Sequence, residues 1–74
     1  MVKTVVAVEG MMCPMCEKHV NESIQENFKI ESVVSSKDKK ETEIISEAAL
    51  DEAALTAAIT EAGYTVKGIS VSNS

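Results

Sequence analysis

From Val2 to Val8 the chain alternates, with Val2, Thr4, Val6 and Val8 on one side and Lys3, Val5 and Ala7 on the other. A period of two in a β-branched run predicts a strand over residues 2–8. Gly10 permits a sharp change of direction, residues 11–13 form a loop, and Pro14 suits the first position of a helix. The period then lengthens. Val20, Ile24 and Phe28 recur every four residues with Cys16 one turn earlier on the same line, whereas Glu17, Lys18, Glu22 and Glu26 fall largely elsewhere. This predicts a helix over residues 16–27 with one packed and one solvated face. Residues 30–35 and 42–46 are short, partly β-branched runs around the polar segment 36–41, which reads as a hairpin. Without Asn-Gly or Asp-Gly, its turn type and register stay open. A second helix starts after Asp51, a good N-cap, with Glu52 in its first turn, and it stops before Gly63, which supplies a left-handed residue. Leu55, Ala58, Ile59 and Ala62 form its apolar stripe. Residues 64–71 close the chain as a strand, with Tyr64, Val66, Gly68 and Ser70 on one side and Thr65, Lys67, Ile69 and Val71 on the other. Residues 72–74 are expected to fray.

The order is βαββαβ, an α+β pattern matching the ferredoxin-like sandwich: a four-stranded antiparallel sheet with two helices on one face. The 74 residues suffice for one domain, taken as 1–74, and leave little room for a large catalytic cleft. Such a fold hosts many functions, so the chemistry must come from side chains. A net charge of −5 with one Phe and one Tyr supplies neither a basic stripe nor stacking platforms, which argues against nucleic acid as a partner. No apolar run approaches a membrane span, and the start lacks the pattern of a secretory signal, so a cytoplasmic protein without membrane insertion is expected. In that compartment thiols stay reduced. The pair Cys13-Pro14-Met15-Cys16 is therefore read as metal or redox chemistry before a structural staple.

The spacing places Cys13 at the helix N-cap and Cys16 in the first turn, near unpaired N–H groups and the positive end of the helix dipole. That position favours the thiolate, which is both nucleophile and metal ligand. One Cys-x-x-Cys supplies two ligands, whereas structural zinc takes four from protein and catalytic zinc three. Thiolate and thioether ligands select Cu(I), and a low coordination number suits that ion. Two sulfurs on an exposed loop also leave a side open to an incoming thiolate.

Residues Gly10-Met11-Met12-Cys13-Pro14-Met15-Cys16 after a first strand, with Ala62-Gly63-Tyr64 after a second helix, closely resemble the heavy-metal-associated domain family. That family comprises small copper chaperones and N-terminal modules of metal-transporting P-type ATPases. The resemblance runs from Lys3 to Val71. It implies that Cys13 and Cys16 bind one Cu(I) per chain, that Met11 packs beneath the loop, and that Tyr64 lies beside the metal. It also implies a metal-receiving partner, such as the N-terminal domain of a P-type ATPase, and a carrier rather than an enzyme. Two features depart from the family pattern: Asn27-Phe28-Lys29-Ile30 replaces the frequent Gly-Val before the second strand, and residues 37–40 of the hairpin hold no Gly. Pro14 and Met15 are also less usual between the cysteines, the first stiffening the turn and the second adding a thioether.

Competing readings belong beside these. Zn(II), Cd(II) or Hg(II) would be favoured by hydroxyl and carboxylate groups near the pair; Glu9 and Glu17 are offered, but methionine surrounds the cysteines more closely. Cys-Pro-x-Cys is also the glutaredoxin pattern of a thiol-disulfide oxidoreductase, but that fold needs a cis-proline facing the disulfide and Pro14 is the chain's one proline. Met12 and Met15 read as exposed loop residues before they read as thioether ligands. His19, one turn past Cys16, is within geometric reach of a third-ligand role, although a solvated helix-face histidine is the simpler reading. Tyr64 equally suits a cap on the core. Thiols sharing a two-coordinate ion also allow a metal-bridged homodimer. The acidic excess lies in residues 1–27 and 47–74 and is usually a matter of solubility, though it would also steer docking onto a basic partner.

Overall fold

The computed structural model describes residues 1–11 and 14–73, and its elements run β1 (Val2–Glu9), α1 (Pro14–Asn27), β2 (Ser32–Ser36), β3 (Glu41–Ser46), α2 (Glu52–Glu61) and β4 (Thr65–Asn73). The four strands form one antiparallel sheet in the order β2-β3-β1-β4. This is the ferredoxin-like βαββαβ arrangement. The alternation read in β1 sets its faces: Val2, Thr4, Val6 and Val8 are buried, and the residues between them are half-buried. Val20 and Ile24 of α1 and Leu55, Ala58 and Ile59 of α2 close over that face with Ile44 of β3. Burying such side chains is the main favourable term in a core this small, at about 1.5–3 kcal/mol each. Phe28 and Ile30, which lie just outside α1 and β2, pack against the same core.

Local signals account for the ends of α2. The Asp51 carboxylate accepts a hydrogen bond from the Ala53 N–H at 2.9 Å, satisfying a donor that the first turn leaves open. At the other end the Gly63 N–H donates to Thr60 O and the Tyr64 N–H to Ile59 O, with Gly63 at φ +101°. Those two bonds and the left-handed glycine make a Schellman stop. Ala62-Gly63-Tyr64 is thus the helix terminus that sets Tyr64 just before the start of β4 at Thr65.

Two expectations about the last strand are corrected. Strict alternation from residue 64 to 71 fails, because Val66 and Ile69 both pack against the core. The register explains it: Ala7 faces Gly68 and Val8 faces Val66, so Lys67 is the extra residue of a bulge and the inward set changes parity there. Residues 72 and 73, expected to fray, continue the ladder, with Ser72 opposite Lys3 and Asn73 opposite Val2. Pairing with the full length of β1 holds them. The hairpin closes through residues 37–40 with Lys40 at φ +57°, so a lysine occupies the left-handed position that glycine commonly fills.

Candidate metal centre

Three connections meet at one end of the sheet. β1 ends there and enters α1; the residues 37–40 turn lies beside it, with the Val8 N–H donating to Lys40 O at 2.8 Å; and α2 hands over to β4. Because Glu9 pairs with Thr65, Tyr64 is set directly beside Gly10. A Cβ on Gly10 would come within 3.2 Å of Tyr64 Cδ1, and Gly10 stands at φ +105°. The glycine before the cysteine loop therefore serves both the backbone turn and the seat of the tyrosine ring.

Cys16 is the third residue of α1, half-buried and packed against the core below the helix. It lines an open groove of about 390 Å³ together with Met15, Lys18, His19, Glu22 and Tyr64. Among the described residues Met15 is the most exposed of the large apolar side chains, at 72%. Residues 15, 19 and 22 follow one side of α1 at helical spacing, so the groove is a helix face flanked by Tyr64. Met11 is buried, 5% exposed, within the core cluster beneath this end. Met12 and Cys13 lie outside the described residues, so the structure places Cys16, Met15, His19 and Tyr64 together, and Met11 beneath.

Three contacts here had no signal in the local sequence. The Tyr64 hydroxyl lies 3.4 Å from His19 Nδ1, and the two rings meet edge to face at 6.0 Å between centroids. Glu17 turns away from the groove and accepts a hydrogen bond from the Lys37 N–H at 2.7 Å, tying α1 to the hairpin turn. Glu9 pairs with Lys67 at 3.4 Å across the bulge. Both carboxylates that the sequence offered as hard ligands are thus engaged elsewhere. Glu22 and Lys18 line the groove instead, a placement set by the helix face they share. Among the described residues no three His, Cys, Asp or Glu side chains converge on one point, and no helix is long and apolar enough to cross a membrane.

The heavy-metal-associated domain model matches residues 5–65 of the chain. Among solved structures the chain is similar to a copper binding domain from HMA7, a P-type ATPase, with TM-score 0.79 and 18% identity over 99% of this chain and 96% of that one. It is similar to the N-terminal domain of ZntA in the Zn(II) form, with TM-score 0.78 and 18% identity over 89% of each chain. The CopZ metallochaperone gives TM-score 0.76 and 20% identity over 86% of this chain and 97% of that one. Likeness at these identities carries the fold and leaves the metal open. Comparison with curated proteins gives no match.

Proposed function

The chain belongs to the heavy-metal-associated domain family, and from that membership we propose that it is a Cu(I) carrier holding one ion between Cys13 and Cys16. The observation that carries this reading is the donor set around Cys16: a half-buried thiol in an open groove beside the exposed thioether of Met15, with Glu9 and Glu17 both engaged elsewhere. Soft sulfur without nearby hard oxygen from those two residues suits Cu(I). Glu22 is the carboxylate that lines the groove, seven residues along the helix from Met15. The residues present fit a soft ion, which when bound would supply an exchangeable metal–thiolate bond and no redox turnover.

This chain's own groups then do the following. Cys16 lies in the first turn of α1, at the positive end of the helix dipole, which favours the deprotonated cysteine that a metal requires. Tyr64 and Met11 cover the inner side of the site, one over Gly10 and the other in the core, leaving the groove as the open side. A partner's thiolate enters there, one of the two cysteines is displaced as the new bond forms, and the ion passes without being released to water. Such a partner carries a similar cysteine pair; the N-terminal domain of a metal-transporting P-type ATPase is the kind of receiver that fits. The protein acts as a carrier, with residues 1–74 as one working unit in the cytosol, and two copies sharing an ion would form a metal-bridged dimer.

Anaerobic titration of the reduced protein with Cu(I) against a competing chelator tests the site. Wild type should retain one Cu(I) per chain, and Cys13→Ser and Cys16→Ser should each weaken retention at least a hundredfold. Wild-type affinity in both single variants would overturn the assignment.

A further inference from the structure

His19 carries the chemistry that the two-sulfur reading does not use. It follows Cys16 by three residues on α1, so the two Cβ atoms are about 5–6 Å apart on one helix face. That separation suits two ligands of one tetrahedral ion, with metal–sulfur and metal–nitrogen bonds of about 2.3 and 2.0–2.1 Å. Both side chains line the same open groove. The ring is also held: Nδ1 faces the Tyr64 hydroxyl at 3.4 Å, and the edge-to-face contact restricts its rotation. A histidine that engages a polar group through one ring nitrogen presents the other in a defined direction, which is how ligating histidines are usually oriented. In the tautomer whose Nδ1–H donates to the Tyr64 hydroxyl, Nε2 carries the lone pair.

We propose that His19 is a third ligand for a divalent ion at this site, completing a Cys13–Cys16–His19 set for Zn(II), with Tyr64 as its positioning residue. The inference rests on the cysteine site proposed above and adds to it a determinant of metal choice. Cu(I) is satisfied by two thiolates, but Zn(II) is not, and a third protein ligand decides whether the loop holds it. Three ligands leave the fourth position for water or for an incoming thiolate, so the ion stays transferable.

The test uses the full chain labelled with nitrogen-15 at its one histidine, titrated anaerobically with Zn(II). At saturation the Nε2 resonance should move by tens of ppm while Nδ1 moves little. His19→Gln should lower Zn(II) affinity at least tenfold and lower the ratio of Zn(II) to Cu(I) affinity. Tyr64→Phe, which keeps the ring and loses the hydroxyl, should lower Zn(II) affinity severalfold and broaden the Nε2 signal of the bound state. Unmoved imidazole nitrogens at Zn(II) saturation, or a His19→Gln affinity within twofold of wild type, would overturn the proposal. Either result leaves the cysteine site standing if Cys13→Ser and Cys16→Ser lose Cu(I), so the two ideas fail separately. His19 is exposed, so His19→Gln should fold as the wild type does, which far-UV circular dichroism would check.

Discussion

Single residues at this end of the molecule have more than one role, and Gly10 is the clearest. Its φ of +105° is one that a side chain resists, and a Cβ there would press against the Tyr64 ring at 3.2 Å. Gly10→Ala should therefore cost about 1–3 kcal/mol of stability. Urea unfolding would measure it. Tyr64 is the only Tyr in a chain without Trp, so its fluorescence should also report displacement of the ring in the folded state. Gly68→Ala is the control, since a Cβ there meets nothing within 4 Å and φ is ordinary. A Gly10→Ala protein as stable as Gly68→Ala would show that the turn does not depend on glycine.

At the scale of elements, the hairpin shows how a strand pair forms without the expected turn chemistry. The β2–β3 register is fixed by Ser36 opposite Glu41, with Lys40 carrying the left-handed conformation and its carbonyl accepting from Val8 of the neighbouring β1. Glu17 of α1 adds a bond to the turn from the opposite side. These contacts hold a conformation that lysine alone disfavours, at a cost on the order of 1 kcal/mol. Relieving it should help. Lys40→Gly should raise stability by about 0.5–1 kcal/mol, after allowance for the greater freedom of glycine in the unfolded chain. Equal or lower stability in a chemical denaturation series would mean that tertiary bonds already offset the strain. A polar line from Asn21 of α1 through Ser35 to Thr42, at 2.6 and 2.9 Å, joins helix and hairpin in the same region. It satisfies hydroxyl groups that burial would otherwise leave at a cost of about 1–3 kcal/mol each.

For the molecule as a whole, the start of α1, the residues 37–40 turn and the Gly63–Tyr64 step lie at one end, and the proposed ion would bind there. Binding that excludes the unfolded state should stabilise the fold by about 2.7 kcal/mol when free Cu(I) is buffered at a hundred times the dissociation constant. Denaturation at buffered ion concentrations measures this, and removal of the metal with a strong chelator should reverse it. The gain should vanish in Cys16→Ser; a shift that persists there would locate the ion elsewhere. Much of this architecture follows from local pattern. Valine alternation set the inward face of β1, the four-residue spacing of Val20, Ile24 and Phe28 set α1, and Asp51 and Gly63 bounded α2, because burial period and end chemistry act over a few neighbouring residues. The family resemblance came from the same short stretches around the cysteines and Tyr64. What the tertiary structure alone decided was which distant groups meet: the bulge at Lys67 that reversed the parity of β4, the pairing of 72 and 73, the diversion of Glu9 and Glu17, and the seating of His19 against Tyr64. Each depends on registers between strands and on helix placement, which are set by summed long-range packing and leave no mark in the spacing of nearby residues.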